Sequence, residues 1–171
     1  MGDMARRISK IDVNNLIKTL NEAYAEEWLA YYQYFLGAKL ATGILRPSVV
    51  KEFEEHAKEE YEHADMIAER IIQLGGTPVL NPDDWSKLAK CKYAEPINED
   101  TFSLVTQNLD SERCAIGRYQ GICELTFGKD YETYRLSAHI LKEEIAHEQE
   151  MEDFLKDMTT AKNYYTKTET N

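Results

Sequence analysis

The chain has 171 residues, 43% hydrophobic and 30% charged, with a formal net charge of −11. That length suits one domain around a single core, and the acidic balance argues against direct DNA binding, since such a surface repels polyanions and attracts cations. No apolar run approaches the roughly 18 residues of a membrane span, MGDMARRISK lacks the apolar core of a secretory signal, and three cysteines make no disulfide framework, so a cytoplasmic protein without a membrane partner is expected.

Apolar periodicity predicts four long helices. The first runs from about Asp12 to Leu40, with Leu16, Leu20, Ala23, Tyr31, Tyr34 and Ala38 on one stripe, and ends at Ala41-Thr42-Gly43 ahead of Pro47. The second spans about Ser48 to Leu74 through Phe53, Ala57, Ala64, Ile67 and Ile71, and Gly75-Gly76-Thr77-Pro78 stops it. The third covers about Asp100 to Phe127 on Val105, Leu109, Ile116, Tyr119 and Ile122, and Gly128 closes it. The fourth runs from about Asp130 to Met158 through Leu141, Met151 and Leu155. The polar tail from residue 159 to 171 has no amphipathic pattern, so loose order is expected there.

Helices one and two are joined by a short turn, as are three and four, so each pair is expected to be an antiparallel hairpin. Residues 75–99 are a long connection for a compact domain. Extended at about 3.3 Å per residue, it easily crosses a bundle roughly 40 Å long. The fold class that follows is all-α, a four-helix bundle with a long crossover between helices two and three. Residues 83–91 are expected to form a short helix within that crossover.

Charged residues interrupt the apolar stripes where a core belongs. Glu27 lies between Ala23 and Tyr31, and Glu60 with His63 between Ala57 and Ile67. Glu112 lies between Leu109 and Ile116, and Glu144 with His147 between Leu141 and Met151. A buried carboxylate is costly unless it is paired or binds metal. The heights also agree. The midpoint of Glu27 and Glu60 falls at Gly43-Ile44, and that of Glu112 and Glu144 at Gly128, both inside a hairpin turn. Each ligand pair then sits about 16 residues from its turn, roughly 24 Å along the helix, so all six side chains reach one layer.

A glutamate and a histidine three residues apart share a helix face. One E-x-x-H in a glutamate-rich chain is ordinarily a solvated face. Two of them, each about 33 residues after a core glutamate and in phase with the apolar stripes, point to one carboxylate-bridged di-iron or di-manganese site. His56 and His139 stay outside this set as packed or half-exposed histidines.

These segments carry a family resemblance. EEWLAYYQYFLGAKL and EEYEHADMIAERIIQLGGTP resemble the first two helices of bacterioferritin, and residues 12–158 resemble the ferritin-like superfamily. The resemblance implies two irons per subunit on Glu27, Glu60, His63, Glu112, Glu144 and His147, with manganese or zinc able to take the same ligands. It also implies a hydrogen bond from Tyr34 near the metals; the alternative is a core tyrosine with a satisfied hydroxyl. Tyr61 stands where bacterioferritins carry the haem-ligating methionine, so no haem is expected, and the tail lacks the fifth helix of larger ferritin cages.

NLDSERCAIGRYQGICELTFGKD, with CKYAEP upstream, resembles the Dps-like miniferritins called thioferritins. That resemblance implies a dodecameric homo-oligomeric cage, oxidation of Fe(II) by hydrogen peroxide or dioxygen, storage of ferric mineral, protection against oxidative stress and a cysteine pair near the site. Cys114 and Cys123 lie about 13.5 Å apart along one helix, too far to bond. Cys123 is in phase with Glu112 and is expected to be a buried thiol, whereas Cys114 faces outward, where the crossover can bring Cys91. Cys91 and Cys114 are therefore the candidate redox pair, with two unrelated free thiols as the alternative. The other readings are a manganese catalase or rubrerythrin-like peroxidase, the latter weakened by the lack of a C-x-x-C pattern, and a structural or DNA-compacting bundle without a working metal site.

Overall fold

Helix boundaries in the computed structural model, which describes residues 3–168, follow local chain chemistry. Asp12 accepts hydrogen bonds from the Asn14 and Asn15 amides and opens the helix Val13–Leu40. The next helix, Arg46–Gln73, starts two residues earlier than periodicity predicts, because Pro47 fits the first turn rather than ending the connection. Asp100 accepts from the Ser103 amide at the head of Thr101–Thr126, and the left-handed Gly128 (φ 71°) turns the chain into Tyr131–Thr168. A short N-terminal helix, Asp3–Arg7, was not foreshadowed by the apolar pattern. In chain order the helices are α1 (Asp3–Arg7), α2 (Val13–Leu40), α3 (Arg46–Gln73), α4 (Trp85–Leu88), α5 (Thr101–Thr126) and α6 (Tyr131–Thr168), with a 3-10 turn at Pro82–Asp84.

The tail departs from expectation. α6 runs past Met158 to Thr168, where a loose segment was expected from residue 159. The stretch 159–168 holds no glycine or proline, and a helix already nucleated extends at little cost even without an apolar stripe. The hydroxyls of Thr159 and Thr160 donate to the Leu155 and Lys156 carbonyls, continuing that pattern. Residues 169–171 of the expected tail lie outside the described residues.

α2 packs along α3 and α5 along α6, giving the two hairpins. The crossover returns the chain to the first turn: the Thr42 amide donates to Glu99, the Thr101 amide to Thr42, and the Thr101 hydroxyl to Ile44 (2.7 Å). α3 and α5 therefore start at one end of the bundle and run the same way. At the other end the Lys10 amide donates to Lys129 (2.9 Å).

The core is split in two. One cluster gathers Tyr34, Phe53, Leu104, Val105, Met151 and Met158; the other gathers Leu16, Leu20, Ile67, Ile71, Ile122 and Ile140. Between them lies a layer of buried polar side chains. Among the described residues, no helix is long and apolar enough to cross a membrane.

The hairpins are cross-linked by a buried ion pair. Arg70 of α3 donates to both carboxylate oxygens of Asp130 (2.8 and 3.0 Å) and to the Thr133 hydroxyl (2.9 Å), while Asp130 also accepts from the Thr133 amide at the start of α6. Asp130→Ala leaves the Arg70 guanidinium buried without a counter-charge and is expected to cost about 3–5 kcal/mol in denaturant unfolding. A loss below about 1 kcal/mol would show that the pair is dispensable.

Candidate metal centre

The polar layer contains the six residues expected from sequence, each from one of the four long helices: Glu27 from α2, Glu60 and His63 from α3, Glu112 from α5, and Glu144 and His147 from α6. All are at most 3% exposed. Their donor atoms form two overlapping groups, Glu27–Glu60–His63–Glu144 and Glu60–Glu112–Glu144–His147, each within 4.8 Å. Glu60 and Glu144 belong to both. His63 Nδ1 lies 3.4 Å from Glu27, 3.4 Å from Glu60 and 3.2 Å from Glu144. His147 Nδ1 mirrors it, 3.6 Å from Glu112, 3.4 Å from Glu144 and 3.9 Å from Glu60.

A ring of hydrogen bonds fixes these ligands from outside. Tyr34 donates to Glu112 Oε1 and Tyr119 to Glu27 Oε1. His63 Nε2 lies 2.9 Å from Glu143, and His147 Nε2 lies 2.8 Å from Glu59. Each imidazole is thus held by a carboxylate on the opposite hairpin, with Nδ1 turned inward, the arrangement that orients a metal-ligating histidine. Tyr34, expected to hydrogen-bond near the metals, bonds one of the six candidate ligands. The sequence reading missed three members: Tyr119, read only as a core residue, and Glu59 and Glu143. The signal was present as a doubled Glu-Glu-x-x-His, Glu59-Glu60 before His63 and Glu143-Glu144 before His147.

His56 was left out of the set, yet it is 2% exposed, stacks on His147 with ring centres 3.9 Å apart, and comes within the same donor range as Glu112 and His147. Burial, then the charge on His147, pushes its pKa down to about 3. His139 is half exposed, 3.5 Å from Glu143.

The residues fit a pair of cations. Glu27 Oε2, Glu112 Oε2, both Glu144 oxygens and His147 Nδ1 are buried without a hydrogen-bond partner, and all belong to the two donor groups. Orphaned buried acceptors are expensive, and four carboxylates balance two divalent ions charge for charge. Carboxylate and imidazole donors suit iron, manganese or zinc. Burial, then repulsion from Glu144 and Glu27, holds Glu60 well above the ordinary carboxylate range, and burial with Glu112 raises Glu144. Burial pulls His63 and His147 down, but the closeness of the surrounding carboxylates outweighs it: His63 lies above its ordinary value and His147 is pushed up to about 12.

The sequence profile of the ferritin-like domain matches residues 17–161. The chain belongs to the ferritin-like family. A DNA protection during starvation protein from Pyrococcus furiosus is 40% identical over 147 residues, covering 85% of this chain and 79% of the relative. A solved structure described as a dodecameric thioferritin, the bacterioferritin-related protein from Bacteroides fragilis, is 51% identical with a TM-score of 0.94 and covers 96% of this chain and 99% of its own. Dps from Thermosynechococcus elongatus, 22% identical over 83% of this chain and 90% of its own, shares the fold with a TM-score of 0.79.

The cysteines complete the surroundings of the centre. Cys91 and Cys114 form a disulfide with Cα atoms 5.7 Å apart, and Cys123 is a buried free thiol. Cys91 also lines a small cavity of about 20 Å³ that reaches Glu27 and Glu60.

Two predictions follow from the ligand layer. Raised folded-state pKa values stabilise the metal-free protein fully below the unfolded values, 4.5 for glutamate and 6.5 for histidine, and that stability is lost as pH rises through the folded values. Metal displaces those protons, so the thermal midpoint of metal-free protein should fall from about pH 5.5 to about pH 9 while the rise on adding divalent metal grows. A flat metal-free profile with a constant metal effect would contradict this. Glu143→Gln should weaken divalent-metal affinity by about 10- to 100-fold in calorimetric titration, and an unchanged affinity would remove Glu143 from the site.

Proposed function

We propose that this protein is a haem-free ferroxidase and iron-storing miniferritin. Each subunit takes two Fe(II) on Glu27, Glu60, His63, Glu112, Glu144 and His147, and a dodecameric cage of identical subunits stores the ferric product. The observation that carries this reading is the pair of four-residue donor groups sharing Glu60 and Glu144, a layout for two ions side by side. Tyr61, at the position of the haem-ligating methionine, is half exposed, packs edge-on to Trp28 and offers no thioether to a haem iron. The dodecameric relative supports the cage size.

Two Fe(II) ions held together supply the two electrons that reduce one hydrogen peroxide: two Fe(II), one peroxide and two protons give two Fe(III) and two waters. Dioxygen is the alternative oxidant. The protein's part is placement and charge. Glu60 and Glu144 belong to both donor groups and would serve both ions, and Glu27 and Glu112 would each complete one of them. Tyr119 and Tyr34 hold those end carboxylates in place, and Glu143 and Glu59 hold the imidazoles with Nδ1 inward. The two apolar clusters on either side exclude bulk water from the layer. Removal of Fe(II) and peroxide together protects nucleic acid without contact, in keeping with the net charge of −11 and with the name of the Pyrococcus furiosus relative.

The double variant Glu60→Ala/His63→Ala tests this reading. Initial rates of Fe(II) oxidation by peroxide should fall by more than about 100-fold, beyond the effect typical of an outer partner, while circular dichroism shows the helices intact. An unchanged rate in the folded variant would defeat the assignment.

A further inference from the structure

The disulfide opens onto a surface that iron chemistry leaves unused. Cys114, Gly117, Arg118 and Gly121 follow helical spacing and share the outward face of α5. Each mid-helix glycine costs up to about 1 kcal/mol relative to alanine. Packing gives no reason for either one, because a Cβ at Gly117 or Gly121 would meet nothing within 4 Å. Gly37 differs, since a Cβ there would meet the Phe53 ring at 3.0 Å. The missing side chains instead leave an open groove of about 320 Å³, lined by both cysteines, both glycines, Lys90 and Arg118. That volume suits a small molecule.

The two sulfurs are not equivalent from this groove. Cys114 is exposed, whereas Cys91 is half-buried, its amide held by Glu26 Oε1 at 3.2 Å, and it also faces the cavity that reaches Glu27 and Glu60. Of the two cysteines lining the groove, Cys114 is the more open to a nucleophile from solvent.

We propose that the groove binds a low-molecular-mass thiol reductant, which attacks Sγ of Cys114. The new bond joins the reductant's sulfur to Cys114, and the Cys91–Cys114 electron pair leaves on Cys91, which takes the proton the reductant gave up. A second reductant molecule then attacks the sulfur of the first, releasing Cys114 as a thiol and the reductant as its own disulfide. In sum, two thiols and the protein disulfide give one small disulfide and two protein thiols, a transfer of two electrons and two protons. Reducing equivalents from solvent are thereby stored on the Cys91 and Cys114 thiols, the former on the wall of the cavity next to the candidate metal centre. The step is independent of which metal fills that centre.

Oxidised full-length protein is incubated with reduced glutathione, quenched with acid, alkylated with N-ethylmaleimide and mapped by peptide mass. The expected product carries glutathione on Cys114 and the alkyl group on Cys91. Glutathione mainly on Cys91, or no reduction at all, would overturn the proposal. In a second arm, Gly117→Leu/Gly121→Leu fills the groove at two positions open enough for the protein to fold. Its disulfide should be reduced by glutathione at least tenfold more slowly than wild type when native and at the wild-type rate in denaturant. Equal native rates would show that the groove is not the route.

Discussion

Four carboxylates in one dry layer repel each other unless positive charge shares the layer with them. That constraint organises the rest of the bundle. Glu27, Glu60, Glu112 and Glu144 are at most 3% exposed, with His63 and His147 among them and His56 stacked on His147. Such a layer cannot be packed as oil, so the apolar core separates into a cluster on either side. Nor can its members be left loose, so two tyrosines and two further glutamates, Glu59 and Glu143, tie them from outside. The glutamate ties run between hairpins, so they hold the ligand layer and join α3 to α6 in the same contacts.

The crossover belongs to the same design. Buried Glu26 accepts from the Lys90 and Cys91 amides and from Arg118, and buried Gln33 accepts from the Ala94 amide. Gln107 donates to the Ala94 carbonyl, and Trp85 stacks on Trp28 with ring centres 5.3 Å apart. With the disulfide, these contacts strap a segment lacking long regular structure across α2 and α5, over the cavity that reaches Glu27 and Glu60. A connection of this length is thereby given a job: it covers one side of the ligand layer.

Much of this was legible in the sequence because helices are periodic. The convergence of Glu27 with Glu60 and of Glu112 with Glu144 follows from helical phase and distance to the turn, both of which can be counted. The proximity of Cys91 and Cys114 followed partly from phase and partly from family resemblance. Tyr119 was hidden because a tyrosine on an apolar stripe reads the same whether its hydroxyl bonds a ligand or a carbonyl. Glu59 and Glu143 were hidden because their partners lie on the opposite hairpin, and periodicity within one helix says nothing about its neighbour. The course of α6 to Thr168 was missed because a lack of amphipathicity was read as a lack of helix, although nothing in that stretch breaks one.

The central claim is that the buried layer holds two metal ions that share Glu60 and Glu144. Anomalous diffraction from crystals soaked in Fe(II) without oxygen tests it most directly. The account predicts two peaks per subunit, one beside Glu27 and His63 and the other beside Glu112 and His147, with Glu60 and Glu144 in contact with both. A single peak, or none in this layer, would contradict it.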